Sequence, residues 1–331
     1  MNHSIFLGGF VLISSLLIMD PNKRNADSIS AFHFLEKDSA RVNYSARIEL
    51  GKRLFYDKTL SRDSSISCAT CHKQELAFTD GLAKSIGIRK QEVSRNSPTL
   101  TNVLNRPYLL LDGVNPSLEA QTVVPIQEHK EFDFNIHLIV NRLKQNALYV
   151  DLAKKGFDSE ITAFVYSKSI AEFERTLISN NSSYDQYRRG NKRALSSSQR
   201  RGKELFFDRL YCAECHGGSD FTNDSLTNNG LYKVYLDTGR MRMTENEIDR
   251  AIFKVPTLRN IELTAPYMHD GSFSSLREVI RHYETGGKGS QNQSDIIKPF
   301  SLSRKEETDL INFLKSLTDQ EFIANPDFNV N

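Results

Sequence analysis

The chain has four cysteines, and they fall in two copies of one string: Cys68-Ala-Thr-Cys71-His72 and Cys212-Ala-Glu-Cys215-His216. C-x-x-C-H is the covalent attachment pattern of c-type haem. Two thiols at that spacing reach the two vinyl carbons of one porphyrin, and the adjacent imidazole becomes the proximal iron ligand. A redox dithiol does not require the His. A zinc site would want a fourth ligand for each trio, and no further Cys or obvious His pair supplies one. With every Cys used in this way, none is left for a disulfide. The chain reads as a carrier of two covalent haems.

The elements that must position these motifs also come twice. Gly51-Lys52-Arg53-Leu54-Phe55-Tyr56-Asp57 precedes the first motif and Gly202-Lys203-Glu204-Leu205-Phe206-Phe207-Asp208 the second, while Phe78-Thr79 is echoed by Phe221-Thr222. Self-similarity at this separation indicates a duplicated domain, since solenoid periods are far shorter. Each copy opens with a helical stretch, such as residues 45–55. Each closes with another: residues 168–178, with Ile170, Phe173 and Leu177 at helical spacing, and residues 305–317, with Leu310, Phe313 and Leu314 on one face. The expected architecture is mainly α, two tandem cytochrome c-like domains with long loops and one haem c in each. The expected order is a signal peptide or anchor at 1–20, a leader at 21–44, domains at 45–180 and 200–320, a polar linker at 181–199 and a tail at 321–331.

Composition excludes other classes. Lys+Arg number 43 against 41 Asp+Glu, a net charge of +2, which gives no reason to expect nucleic acid. Twenty Phe and 12 Tyr argue against disorder, and Trp is absent. Residues 5–19 (IFLGGFVLISSLLIM) form an apolar run short of the roughly 20 residues that span a bilayer. At the extreme N-terminus it reads as a signal-peptide core, with an uncleaved anchor as the alternative. Export to the periplasm is therefore expected.

From residue 46 to 317 the chain resembles the bacterial di-haem cytochrome c peroxidases, including the MauG-like branch of methylamine utilisation. The resemblance is carried by LFYDKTLSRDSSISCATCH (54–72), AFTDG (77–81), RNSPTLTN (95–102), LDGVNPSLEAQ (111–121) and KVPTLRNIELTAPYMHDGSF (254–273). It implies a peroxidase that reduces hydrogen peroxide with electrons from a small cytochrome c or cupredoxin. The alternatives are a MauG-like enzyme oxidising a partner protein or organic substrate, and a non-enzymatic electron-transfer cytochrome. A homodimer stays open.

The resemblance also implies roles. Peroxide would react at the haem on His72. Glu131, in Pro125-Ile126-Gln127-Glu128-His129-Lys130-Glu131, would be the acid–base group, with Glu128 and His129 as competitors. Gln121 would hydrogen-bond the peroxide. His269 would serve hydrogen bonding around the haems, and a calcium ion would sit between them on Asn96, Thr264 and Pro266.

Three departures stand out. The peroxidase branch caps its resting peroxide-site haem with a His in the segment before RNSPT. Here residues 85–94 (SIGIRKQEVS) hold no His, and Arg89 occupies about the right place. A guanidinium is no iron ligand at ordinary pH, so the His72 haem is expected five-coordinate at rest. Second, the distal ligand of the His216 haem, Met in that branch and Tyr in the MauG-like branch, falls on Tyr283. Helical spacing puts Tyr283 on a face with Leu276 and Ile280, and His282 about 100° away towards Ser275 and Glu278. His282 and Met268 remain competitors. Third, the family's Trp before Asp112-Gly113 is Leu111, leaving Tyr108 as the nearest relay in sequence.

Overall fold

The computed structural model describes residues 38–330, with side chains from Asn43 onward. The expected signal segment lies outside these residues, and among the described ones no helix is long and apolar enough to cross a membrane.

The N-terminal copy contains α1 (Asp38–Tyr56), α2 (Ile136–Leu143), α3 (Ala147–Phe157) and α4 (Ala163–Glu174). A further helix, α5 (Ser183–Arg188), leads to α6 (Ser197–Glu204), α7 (Leu276–Glu284) and α8 (Arg304–Lys315) of the C-terminal copy. Helix starts follow local chemistry. Thr162 accepts from Val165 N to begin α4, and Ser275/Glu278 and Ser303/Glu306 form reciprocal capping boxes at α7 and α8. The one antiparallel ribbon among the described residues pairs β1 (Leu226–Thr227) with β2 (Phe253–Lys254).

The duplication is geometric as well as sequential. A Cβ on Gly51 of α1 would stand 1.8 Å from the Ser169 carbonyl oxygen of α4; one on Gly202 of α6 would stand 1.9 Å from that of Asp309 of α8. In each copy the opening and closing helices cross at a glycine, because only a missing side chain lets the backbones come so close. One aromatic triad recurs around the crossings. Phe55 meets Phe173 at 5.2 Å and Phe78 at 6.1 Å; Phe206 meets Phe313 at 5.2 Å and Phe221 at 6.0 Å. Offset and edge contacts at these separations add specificity to apolar burial.

Two segments differ from the sequence expectation. The polar stretch read as a linker forms α5, closed by a Ser182/Asp185 capping box, and buries Tyr184 against Phe221 at 5.1 Å. Its polar residues satisfy backbone groups and a buried ion pair, with Arg259 donating to both Asp185 oxygens at 2.8 and 2.9 Å. The tail after α8 crosses to the N-terminal copy. Phe322 and Phe328 pack on Phe78, and Gln74 donates to the Phe322 and Asn325 carbonyls. The two copies are tied together by Arg106, which pairs with Asp220 and Asp224, and by Asn102, which donates to Asp220 at 2.8 Å.

Candidate functional site

Each C-x-x-C-H string forms a single helical turn, Cys68–Cys71 and Ala213–His216. None of the four cysteines is in a disulfide. His72 Nδ1 donates to the Phe78 carbonyl at 2.8 Å, and His216 Nδ1 faces the carbonyls of Phe221 (3.3 Å) and Pro256 (3.2 Å). A carbonyl can only accept, so in both rings Nε2 is left as the unprotonated, metal-binding nitrogen. Burial pushes both imidazoles below their ordinary pKa, His216 to about 4, which keeps them neutral. Two thiols and one oriented imidazole per copy fit haem c.

Around the first motif, the segment expected to carry acid–base chemistry divides by exposure. Glu128 and His129 are exposed, with His129 Nδ1 on Asp133 at 2.7 Å. Glu131 turns inward. Burial, and then the charge of Glu128, raise its carboxyl to about 7. Burial chiefly raises the thiols of Cys68 and Cys71, and the charge of Glu131 adds to both shifts. The Gln121 Oε1 is buried without a hydrogen-bond partner, as expected of a group awaiting a ligand.

The His-free segment is anchored to residues 130–133. Ile88 N donates to the Glu131 carbonyl at 3.1 Å, and a Cβ on Gly87 would lie 1.8 Å from the Lys130 oxygen. Arg89 donates to Asp133 Oδ2 at 2.7 Å. The loop that lacks its His is thus pinned to the loop that carries Glu131.

In the C-terminal copy Tyr283 is half-buried on α7, its ring centroid 5.2 Å from that of His282. Burial raises its hydroxyl to about 12, with the charges of Cys215 and Cys212 adding to the shift. The competitors are engaged elsewhere. His282 is buried rather than turned to the polar face, because its Nε2 reaches the Asn229 carbonyl at 3.0 Å and its ring packs on Phe273. Met268 Sδ accepts from Asn229 Nδ2 at 3.3 Å.

Between the copies, Lys254 N donates to the Leu111 carbonyl at 2.7 Å, which carries Phe253 of β2 alongside. His269 stacks on Phe253 with ring centroids 4.2 Å apart. Arg95 lies over Phe253 and bridges the buried Asp112 and Asp237, each at 2.6 Å. Asn96 N donates to the His269 carbonyl at 2.8 Å, which holds Asn96 against the loop carrying Thr264 and Pro266. Tyr108 is exposed.

Sequence reasoning missed Asn229, Tyr235 and Glu174. Asn229 and Tyr235 sit in a Gly-containing turn whose only signal is the Asn-Asn-Gly string. Glu174 is buried with Oε2 unpaired, and its carboxyl is raised to about 8 by burial. An amphipathic pattern cannot announce a carboxyl on the inner face of a helix.

Comparison with known proteins agrees with this geometry. The di-haem cytochrome c peroxidase family signature matches residues 45–193, and the cytochrome c signature matches residues 199–318. The methylamine utilization protein MauG of Methylorubrum extorquens is 38% identical over 275 residues, 82% of this chain and 78% of that protein. The cytochrome c551 peroxidase of Nitrosomonas europaea is 35% identical over 285 residues, 85% and 81%. The crystal structure of a MauG-like protein associated with microbial copper homeostasis superposes with a TM-score of 0.82 at 33% identity, covering 86% of this chain and 92% of that one.

Proposed function

Because the chain belongs to the di-haem cytochrome c peroxidase (MauG) family and is an oxidoreductase with two covalently bound haems c, we propose that it reduces hydrogen peroxide to water without prior reductive activation. The observation that carries this reading is the pairing of the half-buried Glu131, its carboxyl raised by desolvation, with a His-free loop fastened to its own backbone.

A haem held by Cys68, Cys71 and His72 would supply the redox chemistry of peroxide cleavage. Glu131 accepts the proton of the inner peroxide oxygen and returns one to the departing oxygen, a task suited to a carboxyl near pKa 7. Gln121 orients the peroxide, its orphaned Oε1 accepting from a peroxide O–H. Two electrons, drawn one at a time from a small cytochrome c or cupredoxin, and two protons from solvent complete each turnover.

Tyr283 as a ligand of the second haem would, as an anionic phenolate, favour higher oxidation states of that iron. This supports a second reading, in which the oxidising equivalents are spent on a partner protein or organic substrate. A calcium ion on Asn96 and the carbonyls of Thr264 and Pro266 belongs to the same proposal, and so does export to the periplasm.

Stopped-flow absorbance of the as-isolated ferric protein mixed with one equivalent of peroxide tests the reading. A Soret change without added reductant is expected, and much slower in Glu131→Gln. An inert ferric protein that reacts only after reduction contradicts it.

A further inference from the structure

The chain has no Trp, so electrons must cross its interior by other side chains. One continuous set leads from the second haem pocket to solvent. The Asn229 carbonyl lies 3.0 Å from Nε2 of His282, whose ring centroid is 5.2 Å from that of Tyr283, and Asn229 Oδ1 lies 3.4 Å from the hydroxyl of Tyr235, which donates to Asn228 Oδ1 at 2.8 Å. Tyr235 is buried, 8% exposed, and its ring meets that of Tyr232 edge-on at 5.5 Å. Tyr232 reaches the surface at 37% exposure, where its hydroxyl donates to Asp270 Oδ2 at 2.6 Å.

A phenol is hard to oxidise unless its proton has somewhere to go, because the radical cation is a very strong acid. A carboxylate in a short hydrogen bond removes that obstacle. Tyr235 lacks one; its hydroxyl partners are amide oxygens, which cannot take up a proton near neutral pH. Tyr235 is therefore suited to transmit an electron and Tyr232 to give one up. Three other exposed tyrosines are less suited. Tyr44 has Glu172 beside it but lies on α1 of the N-terminal copy, apart from the set that leads to Tyr283. Tyr108 lies near Leu111 and Tyr211 adjoins Cys212, and neither hydroxyl is hydrogen-bonded to a carboxylate among the described residues.

We propose that Tyr232, with Asp270 as its proton acceptor and Tyr235 as the link to the Tyr283 pocket, is the surface residue through which a one-electron donor reduces this enzyme. In each step the Tyr232 O–H bond breaks. Its proton goes to Asp270, and one electron passes through Tyr235 to an oxidising equivalent that peroxide has left at the second haem site. The donor then returns the electron to the neutral phenoxyl, which recovers its proton from Asp270. Two such steps supply the two electrons of one peroxide. The inference rests on the peroxide-reducing function proposed above.

The test is spin trapping on the holoenzyme. Ferric protein is treated with peroxide and a nitrone trap without donor, and adducts are mapped by peptide mass spectrometry beside rapid-freeze electron paramagnetic resonance. Wild type is expected to give a phenoxyl signal and an adduct on Tyr232. Tyr235→Phe should lose the Tyr232 adduct while retaining both haem Soret bands and the peroxide-induced absorbance change. An unchanged Tyr232 adduct in Tyr235→Phe overturns the proposal. So does an adduct on Tyr108 or Tyr211 with none on Tyr232. If the haem absorbance ignores peroxide, the function and the relay both fall; if it responds and Tyr232 is never trapped, the relay alone falls.

Discussion

Gly87 lies so close to Lys130 that a Cβ on the glycine would stand 1.8 Å from the lysine carbonyl oxygen. Together with the Ile88–Glu131 backbone hydrogen bond, this contact fixes the depth at which Glu131 enters the site. Gly87→Ala must push the two loops apart, since the clash is with backbone rather than with a flexible side chain. Overpacking of this kind costs about 1–3 kcal/mol. The variant should melt at lower temperature and react more slowly with peroxide. Unaltered peroxide kinetics in Gly87→Ala would show that the contact does not position the carboxyl.

Glu131, with its carboxyl raised to about 7 by burial and by Glu128, sets the pH dependence. Below that value it is protonated and cannot accept the peroxide proton; above it the carboxylate can. The second-order rate constant with peroxide should therefore rise with pH and level off above about 7. Glu131→Gln should lower it by about 10²–10⁴-fold, the usual contribution of a positioned acid–base group, and remove the inflection. Stopped-flow kinetics from pH 5 to 9 check both.

Glu174 acts on stability in a defined direction. Its folded pKa of about 8 lies above the ordinary 4.5, so the stability it contributes is complete below 4.5 and is lost as pH rises through 8. Glu174→Gln removes the charge that must form in a buried place. Its melting temperature should fall less than that of wild type between pH 5 and 9, measured by circular dichroism.

Arg259 is buried between Asp185 and Asp220, holding the expected linker against the second copy. Arg259→Leu would leave Asp185 without its countercharge, while Asp220 keeps Arg106, at a cost of about 3–5 kcal/mol. Urea unfolding should show a large loss of stability. A loss below about 1 kcal/mol would indicate that Asp185 finds another partner.

How much of this was legible in the sequence follows from what each feature depends on. The C-x-x-C-H strings and the duplicated Gly–Phe helices are local patterns, and Gly51 and Gly202 mark both helix crossings. The first closing helix, expected at 168–178, runs instead over Ala163–Glu174, because Thr162 caps its start, and Leu177 lies beyond its end. Glu131 was separable from Glu128 and His129 only by resemblance, because burial within a seven-residue loop depends on the partner loop at Ile88. The polar run 181–199 misled because Ser182 and Asp185 spend their polarity on a cap and on Arg259, a partner 74 residues away. His282 misled because a nine-residue helix wedged between Asn229 and Phe273 buries more than one face. The Tyr232–Tyr235–Asn229 connection could not be read from the chain at all, since it depends on how the loop before β2 folds back over α7.

Electron paramagnetic resonance of the as-isolated ferric protein, before and after one equivalent of peroxide, addresses the peroxide site most directly. An open iron on His72 and a fully ligated one on His216 predict one high-spin and one low-spin signal. The high-spin signal should be consumed by peroxide without prior reduction. Two low-spin signals that persist after peroxide would contradict an open, ready site beside Glu131.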